Sequence, residues 1–124
     1  MNLITVLKSK LHSGTVTGTD TRYEGSIVVD EALMEEVGFY EFEKVLVANV
    51  HTGDRFETYV IKGVRGSGEI QLNGATARLG QVGDHVIIFA FMSIPEDDIK
   101  NFAPKIVLLD EKNRVVRRYS HHNG

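Results

Sequence analysis

The 124-residue sequence has no cysteine, no tryptophan and only two prolines. Without thiols there is no disulfide, no thiolate zinc site and no cysteine nucleophile, a composition that suits a reducing compartment. Long apolar runs are missing as well. The most apolar stretch, Val86–Met92, falls far short of the ~20 residues needed to cross a bilayer. The first ten residues hold two lysines but no apolar core or small-residue cleavage site, and no Asn-x-Ser/Thr acceptor occurs anywhere. A cytoplasmic protein with no membrane partner is the expectation. Excess positive charge is also lacking: Lys plus Arg is 14, Asp plus Glu is 17, and 14 − 17 gives −3. That balance speaks against a nucleic-acid partner, whose binding would need a large positive field. What is present is ordinary globular usage, 42% hydrophobic and 25% charged, in a length that suits one domain over residues 1–124.

Short runs of β-formers dominate the chain. Strands are expected over Leu3–Leu7, Thr15–Thr17, Ser26–Val29, Val45–Val50, Arg55–Ile61, Glu69–Leu72, Val86–Met92, Lys105–Leu109 and Arg114–Arg118. His51-Thr52-Gly53-Asp54 has hairpin length, and Asn73-Gly74 is the strongest short turn signal. Val86–Met92 shows no polar alternation and reads as buried on both faces. Helix is scarce. Asp30 is a candidate N-cap, Gly38 a stop, and Leu33, Met34 and Val37 fall at helical spacing, which predicts a helix over Glu31–Val37. Pro95 opens a second short helical turn with Glu96, Asp97 and Asp98 at its positive end. Nine strands and two short helices, with frequent glycine, predict a mainly β fold, a small closed barrel.

No P-loop, H-E-x-x-H, G-x-S-x-G or G-x-G-x-x-G motif occurs. Three local features bear on chemistry. In Tyr23-Glu24-Gly25-Ser26, a glycine before a serine can hold backbone angles closed to other residues, exposing the Gly25 carbonyl to the Ser26 hydroxyl for an N→O acyl shift; an ordinary turn into a strand reads the same way. In Arg55-Phe56-Glu57-Thr58-Tyr59, strand alternation puts Arg55, Glu57 and Tyr59 on one face and Thr58 on the other. A planar arginine clamps carboxylates and a tyrosine hydroxyl can deliver a proton; a half-exposed amphipathic strand looks no different. In Lys8-Ser9-Lys10-Leu11-His12, Lys10 and His12 share a face and could set positive charge near an anion, or the segment is a solvated edge strand guarded by lysine. His51 reads as a loop residue, and His121-His122 as part of a frayed basic tail rather than a metal site.

These segments recur in a particular order: Lys-Ser-Lys-Leu-His at 8–12, Thr-Val-Thr at 15–17, Tyr-Glu-Gly-Ser at 23–26, Arg-Phe-Glu-Thr-Tyr at 55–59, Arg-Gly-Ser-Gly at 65–68, Asn-Gly-Ala at 73–75 and Val-Gly-Asp-His-Val-Ile-Ile at 82–88. Over about residues 3–110 the chain resembles the aspartate 1-decarboxylases, pyruvoyl-dependent enzymes that make β-alanine for pantothenate. The resemblance implies a double-psi β-barrel assembled as a homotetramer. It implies self-cleavage at Gly25–Ser26 into chains 1–25 and 26–124, with Ser26 becoming a pyruvoyl group and no metal involved. Decarboxylation of L-aspartate through a Schiff base to that group follows from the same resemblance.

Residue by residue, the resemblance makes Thr58 an assistant to cleavage, holding the Gly25 carbonyl oxygen as charge builds there. Arg55 matches a carboxylate-binding arginine, Lys10 a second basic contact, and Tyr59 the proton donor to the carbanion. Asn73, Gly74 and Ala75 match a loop touching substrate and the processed site, and His12 and Tyr23 match residues near the pocket. The chain departs from the family pattern at Ser13-Gly14, Thr19, Thr21, Ala48, His85 and Thr76, the last adding a hydroxyl where alanine is usual. Aspartate and glutamate remain the substrates to separate. The rival reading is a non-catalytic double-psi barrel used as a binding module. An oligonucleotide-binding barrel is opposed by the acidic charge and the lack of interleaved basic and aromatic residues.

Overall fold

A computed structural model describes residues 1–120. Its elements run β1 Leu3–Thr15, β2 Gly18–Asp20, β3 Ser26–Asp30, α1 Glu31–Val37, β4 Lys44–Asn49, β5 Arg55–Gly63, β6 Ile70–Asn73, β7 His85–Pro95, β8 Lys105–Leu109 and β9 Val115–Ser120. Two 3₁₀ turns, Gly74–Arg78 and Glu96–Asn101, lie on either side of β7. The mainly β expectation holds. The two expected helices are present, and Gly74–Arg78 is an additional helical turn. His121-His122 lies outside the described residues.

The strands hydrogen-bond in the order β2-β6-β3-β5-β4-β7-β1-β8-β9. β1 and β2 are consecutive pieces of one extended segment, so the circuit from β1 through β7, β4, β5, β3 and β6 to β2 returns to the stretch of chain it left. Val16 and Thr17 stitch the return: Val16 N–H donates to the Asp84 carbonyl at 2.9 Å and Thr17 N–H to the Ile70 carbonyl at 2.7 Å. The β8–β9 hairpin stands outside this circuit, parallel to β1 along Ser9–His12. Pleat alternation fills the interior. Val45 and Val47 of β4, Val60 of β5, Ile70 and Leu72 of β6, and Val86, Ile88 and Ala90 of β7 are buried, with α1 adding Leu33, Met34 and Val37. This apolar burial is the main stabilising term for a chain of this size.

α1 starts and stops where its residues dictate. The Asp30 carboxylate accepts from Ala32 N–H at 2.8 Å, and Gly38 ends the helix with a left-handed φ of 81°. Asp30 also accepts from Gly66 N–H at 2.9 Å and Gly68 N–H at 2.8 Å, fixing the Arg65–Gly68 loop against the helix start.

Two expectations change. Lys8–His12 is not an edge strand, because β1 is flanked by β7 and β8. Lys8 is the extra residue of a bulge between Leu7 and Ser9, and its ammonium bonds Glu43 at 2.8 Å instead of guarding an edge. β7 is not buried on both faces: Phe91 and Met92 are 45% and 40% exposed. Asn73-Gly74 does turn the chain, but into a helical turn and not between two paired strands. β6 pairs with β3 and β2, and the chain leaves Asn73 into a 3₁₀ turn.

Candidate active site

Ser26 is the first residue of β3, 4% exposed, with β6 antiparallel on one side and β5 parallel on the other. The β3–β6 register sets Ser26 opposite Asn73. The Asn73 Nδ2 amide donates to Ser26 Oγ at 3.3 Å, and Gln71 Nε2 donates to Asn73 Oδ1 at 2.8 Å. Gln71 thereby orients the Asn73 amide with its NH₂ toward the serine. A donor aimed at Oγ favours the anionic form that a nucleophilic serine must approach.

Gly74 follows with φ 65°. A methyl group there would lie 2.6 Å from Gly25 N, 2.7 Å from Gly25 Cα and 2.7 Å from the Tyr23 carbonyl oxygen. The Gly74 backbone thus packs against Tyr23 and Gly25, immediately before Ser26, an approach only glycine permits. The expected constraint at Gly25 itself is not found. Its φ lies outside the left-handed region, and a methyl group there would meet nothing within 4 Å. The constrained glycine of the junction is Gly74.

Thr58 and Tyr59 lie on β5, which pairs with β3 from Ile27↔Val60 onward. Thr58 and Tyr59 immediately precede that ladder on β5, as Gly25 and Ser26 precede it on the β3 side. Alternation along β5 is as expected, with Val60 buried and Arg55 and Glu57 exposed. The Tyr59 ring sits 6.4 Å from that of Phe42, between centroids.

The basic residues lie apart from this cluster. Arg55 opens β5 opposite Ala48, and its Cα is about 13 Å along the strand from Tyr59. Lys10 lies on β1, with β7, β4 and β5 between it and β3 on that side of the circuit. His12 is two residues further and pairs with Leu108. Burial and then the neighbouring Lys10 charge hold the His12 pKa below its usual 6.5. At neutral pH the cation of this face is therefore Lys10, not the Lys10–His12 pair. Tyr23 is 61% exposed, its backbone carbonyl facing Gly74, and Ala75 is exposed.

Two residues of the junction were not among the expected site residues. Gln71 orients Asn73, as i and i+2 neighbours on one strand face do. Thr76 is buried, and its Oγ1 lies 2.7 Å from the Asn73 carbonyl and 3.3 Å from the Ser26 carbonyl. Its sequence signal is the hydroxyl it adds where the resembling family usually has alanine in the Asn-Gly-Ala run. Elsewhere, His51 Nε2 and His85 Nδ1 are 3.1 Å apart and His85 Nε2 is 3.1 Å from Glu111. No group of three or more metal-ligating side chains is found among the described residues. A cavity of about 610 Å³ beside α1 is lined by Glu35, Glu36, Arg65 and Arg118, charges that already pair with one another.

The arrangement comprises a buried serine hydroxyl with an amide donor, a backbone packed against the residue preceding that serine, and a threonine and a tyrosine on the adjoining strand. The family model described as aspartate decarboxylase matches residues 1–116. The aspartate 1-decarboxylase of Caldicellulosiruptor saccharolyticus is 56% identical over 115 residues, 93% of this chain and 90% of that protein. That of Lactiplantibacillus plantarum is 52% identical over 116 residues, 94% and 89% of the two chains. Among solved structures, the rationally designed mkDPBB_sym_86 protein superposes with a TM-score of 0.47 at 16% identity, covering 62% of this chain and 90% of that one. With a family model spanning nearly its whole length and relatives identical at half or more of the aligned positions, this chain belongs to the aspartate decarboxylase family.

Proposed function

We propose that the chain cleaves itself between Gly25 and Ser26 and then decarboxylates L-aspartate to β-alanine and CO₂. The observation that carries this reading is the Ser26 hydroxyl, buried and hydrogen-bonded by Asn73, with Gly74 packed against the residue before it. In the acyl shift the Ser26 Oγ–Gly25 C bond forms and the Gly25 C–Ser26 N bond breaks, the hydroxyl proton ending on the freed amine. Asn73 steadies Oγ as it attacks. Thr58, which like Gly25 precedes the β3–β5 ladder, donates to the carbonyl oxygen as it gains charge.

The junction fits a pyruvoyl group made from Ser26, since Asn73 and Thr76 address the side-chain and main-chain oxygens of the same residue. Such a ketone supplies an electron sink for the carbon that loses CO₂. Arg55 binds a substrate carboxylate in a bidentate pair, Lys10 adds positive charge, and Tyr59, which like residue 26 immediately precedes that ladder, returns the proton. His12, Tyr23 and Ala75 complete the surroundings of the pocket.

Within one chain Arg55 and Lys10 stand away from Ser26, which supports a homotetramer whose sites are completed across subunit boundaries. Exposed Leu3, Ile4, Phe91 and Met92, on the paired ends of β1 and β7, offer apolar surface for such contacts. We place the enzyme in the cytoplasm, with no nucleic-acid or membrane partner; among the described residues no helix is long and apolar enough to cross a membrane.

The test is turnover by the purified protein, with aspartate and glutamate supplied separately. β-Alanine from aspartate, with glutamate left unconsumed, is the expected result. No amine product from aspartate by a fully cleaved, folded protein would overturn the reading.

A further inference from the structure

Among the described residues, Thr76 is a buried hydroxyl that touches residue 26 without belonging to the expected site. Its Oγ1 lies 2.7 Å from the Asn73 carbonyl and 3.3 Å from the Ser26 carbonyl. A hydroxyl has a single proton and rotates to suit its acceptors. In the intact chain the shorter contact, to Asn73, holds that proton. Any step that puts negative charge on the Ser26 carbonyl oxygen would draw the proton across, because a charged acceptor makes a bond roughly twice as strong as a neutral one.

Self-cleavage contains one such step. Once Ser26 Oγ is esterified to Gly25, the ester must be eliminated. The Cα–H bond of residue 26 breaks and its proton passes to a solvent base. The electron pair becomes the Cα=Cβ bond, and the Cβ–Oγ bond breaks with its pair leaving on the Gly25 carboxylate. As the Cα proton departs, charge spreads onto the carbonyl oxygen of residue 26, the atom that Thr76 Oγ1 faces. We propose that Thr76 stabilises this enolate-like charge and so accelerates elimination of the ester, without contributing to the preceding acyl shift. The inference rests on the self-cleavage reading above. It assigns Thr76 to the second covalent step, whereas Asn73 and Thr58 serve the first.

Thr76→Val removes the hydroxyl at nearly constant volume, and Thr76→Ser keeps it. Freshly purified uncleaved chains are incubated, and samples are quenched with and without hydroxylamine before intact-mass analysis. Hydroxylamine splits the ester, giving a residue 1–25 hydroxamate and a 26–124 fragment that still begins with serine. Elimination gives a 1–25 carboxylate and a 26–124 fragment that begins with dehydroalanine, whose imine tautomer water then hydrolyses to a ketone with release of ammonia, so the fragment loses its amine nitrogen.

Thr76→Val is expected to form the ester at a rate within about twofold of the parent, but to eliminate it about tenfold more slowly. That is a modest loss for an oxyanion donor, in keeping with the long, shared contact. The hydroxylamine-labile species then accumulates, α-deuterated serine slows its disappearance further, and Thr76→Ser restores the parental course. Should valine prevent folding, Thr76→Ala is read in the same way. Elimination by the hydroxyl-free variant at the parental rate overturns the proposal, as does an equal slowing of both steps, which would mark a structural role. A parent chain that stays uncleaved and gives no hydroxylamine-labile ester refutes the self-cleavage reading instead.

Discussion

At Gly74 two constraints coincide: a left-handed φ of 65° and backbone atoms of Gly25 within 2.7 Å of where a methyl group would stand. Gly74→Ala is expected to destabilise the fold by about 2–4 kcal/mol, combining left-handed strain with overpacking against rigid main chain. Gly25→Ala meets open space at an ordinary φ and is expected to change stability by less than about 0.5 kcal/mol. Denaturant unfolding of both variants checks the contrast, and equal stabilities would refute it. Reading the sequence alone puts the constraint on Gly25, because the dipeptide Gly25-Ser26 is visible locally. The approach of Gly74 is not, since it depends on a ladder joining Ser26 to Asn73, 47 positions apart.

Among the elements, those governed by nearby residues were legible. α1 lies over Glu31–Val37 with Asp30 and Gly38 as its caps, and the facing of Val60, Glu57 and Arg55 on β5 follows from period-two alternation. The Lys8 bulge and the pairing of β6 were not, because partners distant in sequence decide them: β8 covers the flank of β1 that would otherwise be an edge, and β3 and β2 flank β6. The second role of Asp30 was hidden for the same reason, since Gly66 and Gly68 reach it from another loop. Asp30→Ala leaves three backbone N–H groups without their acceptor and is expected to cost about 2–4 kcal/mol. Hydrogen exchange should show Ala32, Gly66 and Gly68 amides losing protection together. Loss confined to Ala32 would reduce Asp30 to a helix cap.

For the molecule as a whole, acid is the condition that unfastens most. Asp84 accepts from Asn49 Nδ2 at 2.9 Å and Gln81 N–H at 3.0 Å, and those bonds hold its pKa below the ordinary 3.8. A carboxylate lowered in the folded state contributes stability that is complete above its unfolded pKa and lost as pH falls through the folded one. Stability should therefore drop as pH falls below about 4. Asp84→Asn should flatten that slope more than Glu35→Gln, whose ion pair with Arg65 is exposed and screened. Urea midpoints between pH 5 and 2 measure this, and identical slopes in the two variants would contradict it. At this scale the sequence alone conveyed the mainly β architecture and the family. The closure of the circuit through Val16 and Thr17 needed the three-dimensional path. So did the distance of Arg55 and Lys10 from Ser26 within one chain.

Intact-mass measurement of the folded parent chain beside Ser26→Ala tests self-cleavage most directly. The parent should resolve into fragments 1–25 and 26–124, the larger lacking the amine nitrogen of its first residue, while Ser26→Ala remains a single chain. A folded parent that persists as one chain, or a Ser26→Ala variant that still splits between residues 25 and 26, would contradict it.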